Sequence, residues 1–272
     1  MATERLKSYM QCNLRSVQQK ELDILREIHK VCERNGLEYW LDGGTILGAV
    51  RHGGFIPWDD DIDIAMRRED LPRFVEAAQR ELPEWLYVQT PATDPTRLPM
   101  VKVRDTNSFL VEPTDDFTQS YSKGLFVDIF PFEPYPDVSR SFCRHITKGY
   151  CTANGVLHAK HYYSLRSIVE LPWFSLKRFF FRIVWRLTCK LKGVGKYYGN
   201  TLDTNGYGIY HRNTDIFPTT TILFEGEEFR APANPLTYAR NIYGDDFMQL
   251  PPPDKRKVHA VFYAPILDES AL

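Results

Sequence analysis

Cysteine is scarce in this chain and carries no pattern. Cys12, Cys32, Cys143, Cys151 and Cys189 form no CxxC pair and are odd in number. That argues against a disulfide framework and a thiolate zinc site, and it fits a reducing compartment. No apolar run reaches the roughly 18 residues of a membrane-spanning helix. The opening stretch, MATERLKSYMQC, has no apolar core of signal-peptide type. Neither sign of charge is in excess: 34 lysines and arginines against 35 acids leave a net charge of −1. A general nucleic-acid binder would be basic overall. Internal repeats and low-complexity linkers are also missing. The expectation is a cytoplasmic globular protein without a nucleic-acid partner. Its 272 residues, 43% of them hydrophobic, suffice for a substantial core.

The pattern that is present alternates helices and strands. Leu14, Val17, Leu22, Leu25, Ile28 and Val31 recur at mostly three-residue spacing, which predicts an amphipathic helix over about 14–35 that stops at Asn35-Gly36. LEYWLD reads as a strand, and Thr45 can cap a brief helix, ILGAVRH. DIDIAM alternates with period two, as a half-buried strand does. REDLPRFVEAAQREL reads as a helix, and EWLYVQT, PMVKVRD, SFLVE and GLFVDIF as strands. Residues 137–200 look helical, TILFEGEEFRAP reads as a hairpin turning at Glu225-Gly226, and NPLTYARNIYGDD as a helix stopping near Gly244. QLPPPDKRKVH reads as an extended proline segment with a basic cluster. The whole is expected to be one α/β (α+β) domain over 1–272. Its core covers about 14–134, a helical insertion about 137–200, and a carboxy-terminal hairpin and helix about 217–260.

The chemistry concentrates in YWLDGGTILGAVRHGGFIPWDDDIDIAM, where Asp59, Asp60, Asp61 and Asp63 crowd together behind two glycine pairs. Residues two apart in a strand share a face, so Asp61 and Asp63 point one way while Ile62 and Ile64 pack the other way. Such carboxylates offer hard oxygen ligands suited to Mg²⁺, with Mn²⁺ as the alternative. Asp128, a lone acid in the apolar strand GLFVDIF, supplies the third expected ligand, because an unpaired charge there would be costly. A calcium-loop reading fails, since Ile64 stands where that loop needs glycine and Asp70 where it needs glutamate. Gly43, Gly44 and Thr45, between a strand and a helix, can bring backbone amides against phosphate oxygens. Arg51 and His52 could reach a phosphate. Lys102 reads either as a partly buried phosphate ligand or as an outward-facing strand lysine.

These segments resemble the LicD family of phosphotransferases, which includes relatives of fukutin and fukutin-related protein. The resemblance rests on LDGGTILGAVRHGGFIPWDDDIDIAMRREDLPRF, MVKVRDTNS, GLFVDIFPFE and IYGDDFMQLPPPDKR, which together run from about residue 37 to 257. It implies a nucleotidyltransferase-like mixed sheet flanked by helices, with Gly43, Gly44, Asp61, Asp63 and Asp128 at the positions of that fold's glycines and three acids. The cysteine-rich zinc loop of some animal relatives has no counterpart. The implied reaction is transfer of a phosphorylated alcohol, such as phosphocholine, from a CDP-linked donor to a sugar hydroxyl of a cell-surface glycan or its precursor, with release of CMP. Lipopolysaccharide or teichoic acid are acceptors of that type. Metal on Asp61, Asp63 and Asp128 would bridge the diphosphate, Lys255 and Arg256 would bind a donor phosphate, and Asp128 or Asp59 would take the acceptor's proton. Two other readings compete: a nucleotidyltransferase that releases pyrophosphate, and a non-catalytic accessory of a glycosyltransferase. For a choline donor an aromatic cage is expected, but Trp40, Phe55, Trp58 and Phe130 do not single one out.

One further stretch stands apart. LPWFSLKRFFFRIVWRLTCKLKGVGK, residues 171–196, holds seven lysines or arginines and no acid. Arg178, Arg182, Arg186 and Lys190 recur every four residues as a helical stripe. It reads either as a domain helix with a basic face or as an interfacial helix on anionic lipid, placing the protein peripherally on the inner face of a membrane beside a lipid-linked acceptor.

Overall fold

The computed structural model describes residues 2–94, 100–113, 115, 117, 122–158, 165–256 and 258–266. The chain opens with α1 (Ala2–Asn35) and β1 (Tyr39–Leu41), then α2 (Gly43–His52), β2 (Ile62–Arg67), α3 (Leu71–Glu81) and β3 (Leu86–Gln89). Strands β4 (Val101–Asp105), β5 (Phe109–Val111) and β6 (Phe126–Pro136) follow, and then two long helices, α4 (Arg140–His158) and α5 (Leu165–Lys192). After β7 (Val194–Asn200), β8 (His211–Arg212) and α6 (Asn213–Ile216) come the hairpin β9 (Thr220–Phe224) and β10 (Glu227–Ala231), α7 (Pro235–Tyr243), a 3-10 turn at Pro253–Lys255 and β11 (Phe262–Ala264). The class is mixed α/β, as the alternation indicates.

The central sheet runs β1-β2-β6-β4-β3, and β7 and β8 extend it from the far half of β6. Strands β2 and β6 are parallel; the other described pairs are antiparallel. The main core lies between this sheet and α1, whose Leu25, Ile28 and Val31 are fully buried against Ile62, Ile64, Val127 and Ile129. The predicted end of α1 is observed, with Gly36 at φ 59°. Its start lies earlier than the apolar spacing indicates. Tyr9 stacks on Phe262 at 5.8 Å and Met10 O accepts from the Tyr263 hydroxyl at 2.8 Å, so β11 holds the first turns from outside the segment.

Two readings need correction. Thr45 does not cap α2: the helix begins at Gly43 behind the extended Asp42. Residues 194–200 are strand, not helix. Gly193, at φ 71°, ends α5, and the far half of β6 offers β7 an open edge from Phe132 to Pro136. Residues 159–164, read as helical with their neighbours, lie outside the described residues. A second core forms where α4 and α5 close over β6 and packs Tyr135, Ile146, Tyr150, Phe181 and Trp185 together. Phe181 lies over Gly149, where a Cβ would meet the ring at 2.3 Å.

Candidate active site

The acids gather where β1 turns into α2 and β2 enters the sheet. Asp42 donates its backbone N–H to Asp63 O at 3.0 Å, and Thr45 Oγ1 accepts the N–H of Asp63 at 2.8 Å. Thr45 therefore clamps the acidic strand from within the first turn of the helix. A Cβ on Gly43 would lie 2.3 Å from Asp63 Oδ2, and one on Gly44 would lie 2.5 Å from Asp59 Oδ2. The glycine pair leaves room for these two carboxylates. At Gly43 the left-handed backbone, φ 49°, adds a second reason for glycine.

Along the sheet, register aligns Asp63 with Asp128 and Asp128 with Lys102. Partners in register share a face, so the three side chains stand in a row. The Lys102 ammonium, nearly buried, lies 3.1 Å from Asp128 Oδ1 and 3.3 Å from Glu112 Oε2, over the ring of Phe126. Lys102 is thus neither outward-facing nor free: it is the counter-charge of Asp128. Burial pushes the Asp128 carboxyl up to about 6, although Lys102 pulls the other way. Asp63 is pushed well above the carboxylate range by burial first, then by Asp61 and Asp128. Among the described residues no side chain donates to its carboxylate.

Asp59 to Asp61 have separate surroundings. Asp59 is buried and pushed up to about 8 by burial and by Asp61. Asp60 accepts the backbone N–H groups of His259 and Ala260, each at 2.8 Å, and so fastens the carboxy-terminal segment. Asp61, partly exposed just before β2, bonds through Oδ2 to His259 Nδ1 at 2.9 Å. That bond, with the surrounding acids, raises His259 to about 9, so it stands as a cation at neutral pH. Ligand atoms of Asp59, Asp60, Asp61 and His259 lie within 4.8 Å of one another. Both oxygens of Asp60 hold a backbone donor, Asp61 holds His259 through one oxygen, and Asp128 Oδ1 accepts no hydrogen bond.

Several residues of the site escape a reading by local pattern. Glu21 sits on the buried face of α1, and burial and then Asp61 raise its carboxyl well above the usual range. With Gln18, it interrupts an apolar helix face, and that was the available signal. His259 has no local signal, being brought in by long-range pairing. Asp42 Oδ1 accepts the Tyr238 hydroxyl at 2.8 Å; Tyr238 in turn takes Trp40 Nε1 at 3.1 Å and stacks on His211 at 3.7 Å. Burial raises the hydroxyl of Tyr243, and of the acids Asp63 adds most to the rise. Tyr243 also lines a cavity of about 800 Å³ beside Arg140, Arg212 and Arg240.

The expected phosphate ligands are less uniform. Arg51 spends Nη1 on Phe247 O at 2.9 Å and on Gln249 O at 3.3 Å, tying α2 to the segment after α7. Lys255 and Arg256 are exposed, and Arg256 covers the ring of Trp58 at 4.5 Å, next to Asp59. Lys257 lies outside the described residues. Trp40 and Phe55 are core residues and line no cage.

With this geometry in place, residues 36–172 match the family described as LicD/FKTN/FKRP, nucleotidyltransferase domain. The chain belongs to the LicD family. This LicD-family protein is 29% identical to the lipopolysaccharide cholinephosphotransferase LicD of Haemophilus influenzae, over 93% of this chain and 98% of that one. It is 32% identical to the human ribitol 5-phosphate transferase FKRP over 128 residues, 45% of this chain and 21% of that one. The family match covers the glycine pair, the acidic strand, Lys102 and Asp128; His259 and all of the Tyr243 cavity's lining except Arg140 lie beyond it.

Proposed function

We propose that this protein transfers a phosphorylated alcohol from a CDP-linked donor to a sugar hydroxyl and releases CMP. The observation that carries the reading is the row Asp63–Asp128–Lys102, built on glycines that make room for the acids. Similarity to a cholinephosphotransferase along nearly its whole length supports the same chemistry. The acids fit a divalent cation: Asp63 is a crowded carboxylate with no side-chain donor among the described residues, and its carboxyl is raised by Asp61 and Asp59 among others. One or two carboxylates plus waters and substrate phosphates are what Mg²⁺ takes. When bound, such an ion supplies charge neutralisation at the diphosphate.

The chain's own groups carry the rest. Asp128 accepts the proton of the acceptor hydroxyl, with a carboxyl raised toward neutral pH and steadied by Lys102. The acceptor oxygen forms a bond to the phosphorus that carries the alcohol, and the bond from that phosphorus to the bridging oxygen of CMP breaks. Lys255 and Arg256 reach the donor's phosphates from the rim, and the arginine-lined cavity at Tyr243 receives the anionic part of a substrate. The test is CMP release from CDP-choline, CDP-ethanolamine, CDP-ribitol and CDP-glycerol, with Mg²⁺ titrated and a glycan acceptor present. Metal-dependent CMP from one donor supports the reading. Pyrophosphate from a nucleoside triphosphate, with no CMP from any donor, would replace it with nucleotidyl transfer.

A further inference from the structure

Helix α5 turns one face inward and leaves the other bare. Inward, Phe181 packs on Gly149 and Trp185 meets Tyr135 edge-on at 4.8 Å. Outward stand Val169, Trp173, Leu176, Phe180, Leu187 and Leu191, exposed by 69%, 61%, 62%, 58%, 53% and 82%. Their spacing of three, four and seven residues puts them on one side of the helix. At about 1.5 Å per residue the stripe is about 33 Å long. Surface helices of soluble proteins ordinarily keep that side polar, and an apolar patch of such length marks an interaction surface.

The charges beside it select the partner. Arg186 and Lys190 are exposed toward one border of the stripe, while Arg182, farther round the helix, lies over the ring of Tyr150 at 6.0 Å. Arg178, expected in the same row, instead donates to Asn154 Oδ1 at 3.0 Å and belongs to the α4 contact. Residues 171–196 contain no acid, nor does α4. Glu170, the one acid of α5, is bonded to Arg166 at 2.8 Å. A second copy seated on the stripe would bring the same cations together with no acids to pair them, the arrangement that charge patterning in paired helices avoids. No described helix is long and apolar enough to cross a membrane. An apolar stripe bordered by cations instead matches the boundary between acyl chains and anionic headgroups.

We propose that α5 is an interfacial anchor that lies flat on an anionic phospholipid bilayer, with Trp173, Leu176 and Phe180 among the acyl chains and Arg186 and Lys190 at the headgroups. This stands on the outer face of α5 alone and does not depend on the transfer chemistry. The experiment is co-sedimentation of the full chain with vesicles of phosphatidylcholine, with and without phosphatidylglycerol, at low and high salt. The wild type should partition into the anionic vesicles at least roughly tenfold more strongly, and high salt should weaken it. Leu176→Glu/Phe180→Glu should lose roughly tenfold or more of that partition, as should Arg186→Glu/Lys190→Glu. Both variants alter exposed side chains only, and unchanged thermal melting confirms that they fold. Trp173 should report insertion by a blue shift that Trp173→Phe abolishes. Wild-type protein left in the supernatant at low salt would overturn the proposal. So would equal binding by Leu176→Glu/Phe180→Glu, or a dimer that this variant dissociates while vesicles are ignored.

Discussion

Gly43 shows how much one hydrogen atom decides. A methyl group there would overlap the Asp63 carboxylate and would also have to sit on a left-handed backbone. Gly43→Ala should cost about 1–2 kcal/mol of stability from the backbone alone. Displacing Asp63 should lower turnover by roughly 10²-fold, measured as CMP release on folded protein. Asp63→Asn separates chemistry from folding. The folded state raises the carboxyl of Asp63, so this group favours folding at low pH and loses that contribution as pH rises. In chelator, melting temperature should therefore fall as pH increases from 5 to 8, and Asp63→Asn should flatten the fall. Turnover should drop on the order of 10³-fold. Near-wild-type turnover by Asp63→Asn would remove the acidic strand from the mechanism. The sequence makes the crowding of these acids plain, because charge and period-two spacing are local. It does not show that the glycines face carboxylates, since that depends on where β2 lies relative to α2.

Local signals define the elements whose partners are close in sequence. The hairpin turn is of this kind: Glu225 and Gly226 both take positive φ, 55° and 84°, which a two-residue turn requires. Strands β7 and β11 are of the opposite kind. Short, glycine-rich or polar, they become strands only because β6 and β5 present open edges to them. His259 joins the site by the same route, which explains why no local pattern announces it. Asp60 is the fastener of that route, and its two oxygens each take a backbone N–H. Asp60→Asn can accept only one of them and leaves a partly buried donor unpaired. The expected cost is about 1–3 kcal/mol, together with faster proteolysis between residues 258 and 266. Asp60→Asn should thus lose stability where Asp63→Asn loses activity. Equal melting of Asp60→Asn and wild type would show that β11 is held elsewhere.

At the scale of the whole molecule, β6 joins the main core to the core under α4 and α5. Asp128 lies in its first half, in the five-strand sheet, and Tyr135 in its second, under α4 and α5. Trp185→Ala should open the second core and lower stability by about 3–5 kcal/mol. At temperatures where the variant is folded, turnover should stay within about twofold of wild type, because distant sites act nearly independently. A large loss of turnover would mean that the two halves of β6 are coupled. Composition and periodicity foretell the mixed α/β class and the helical character of residues 140–158 and 165–192. They do not foretell that the sheet resumes on the far side of that stretch, because β7 finds its edge only after the helices have folded back.

The pairing of Pro136 with Val194 carries a topological consequence. The chain leaves the sheet at the end of β6 and re-enters at the start of β7 as a ladder neighbour. The two helices are therefore an excursion from a β-hairpin, with entry and exit side by side. A module attached in this way can be lengthened, shortened or exchanged without shifting the register of Asp128 against Asp63. Change in the outer face of the excursion and change in the acids of the sheet can then proceed on separate parts of one chain.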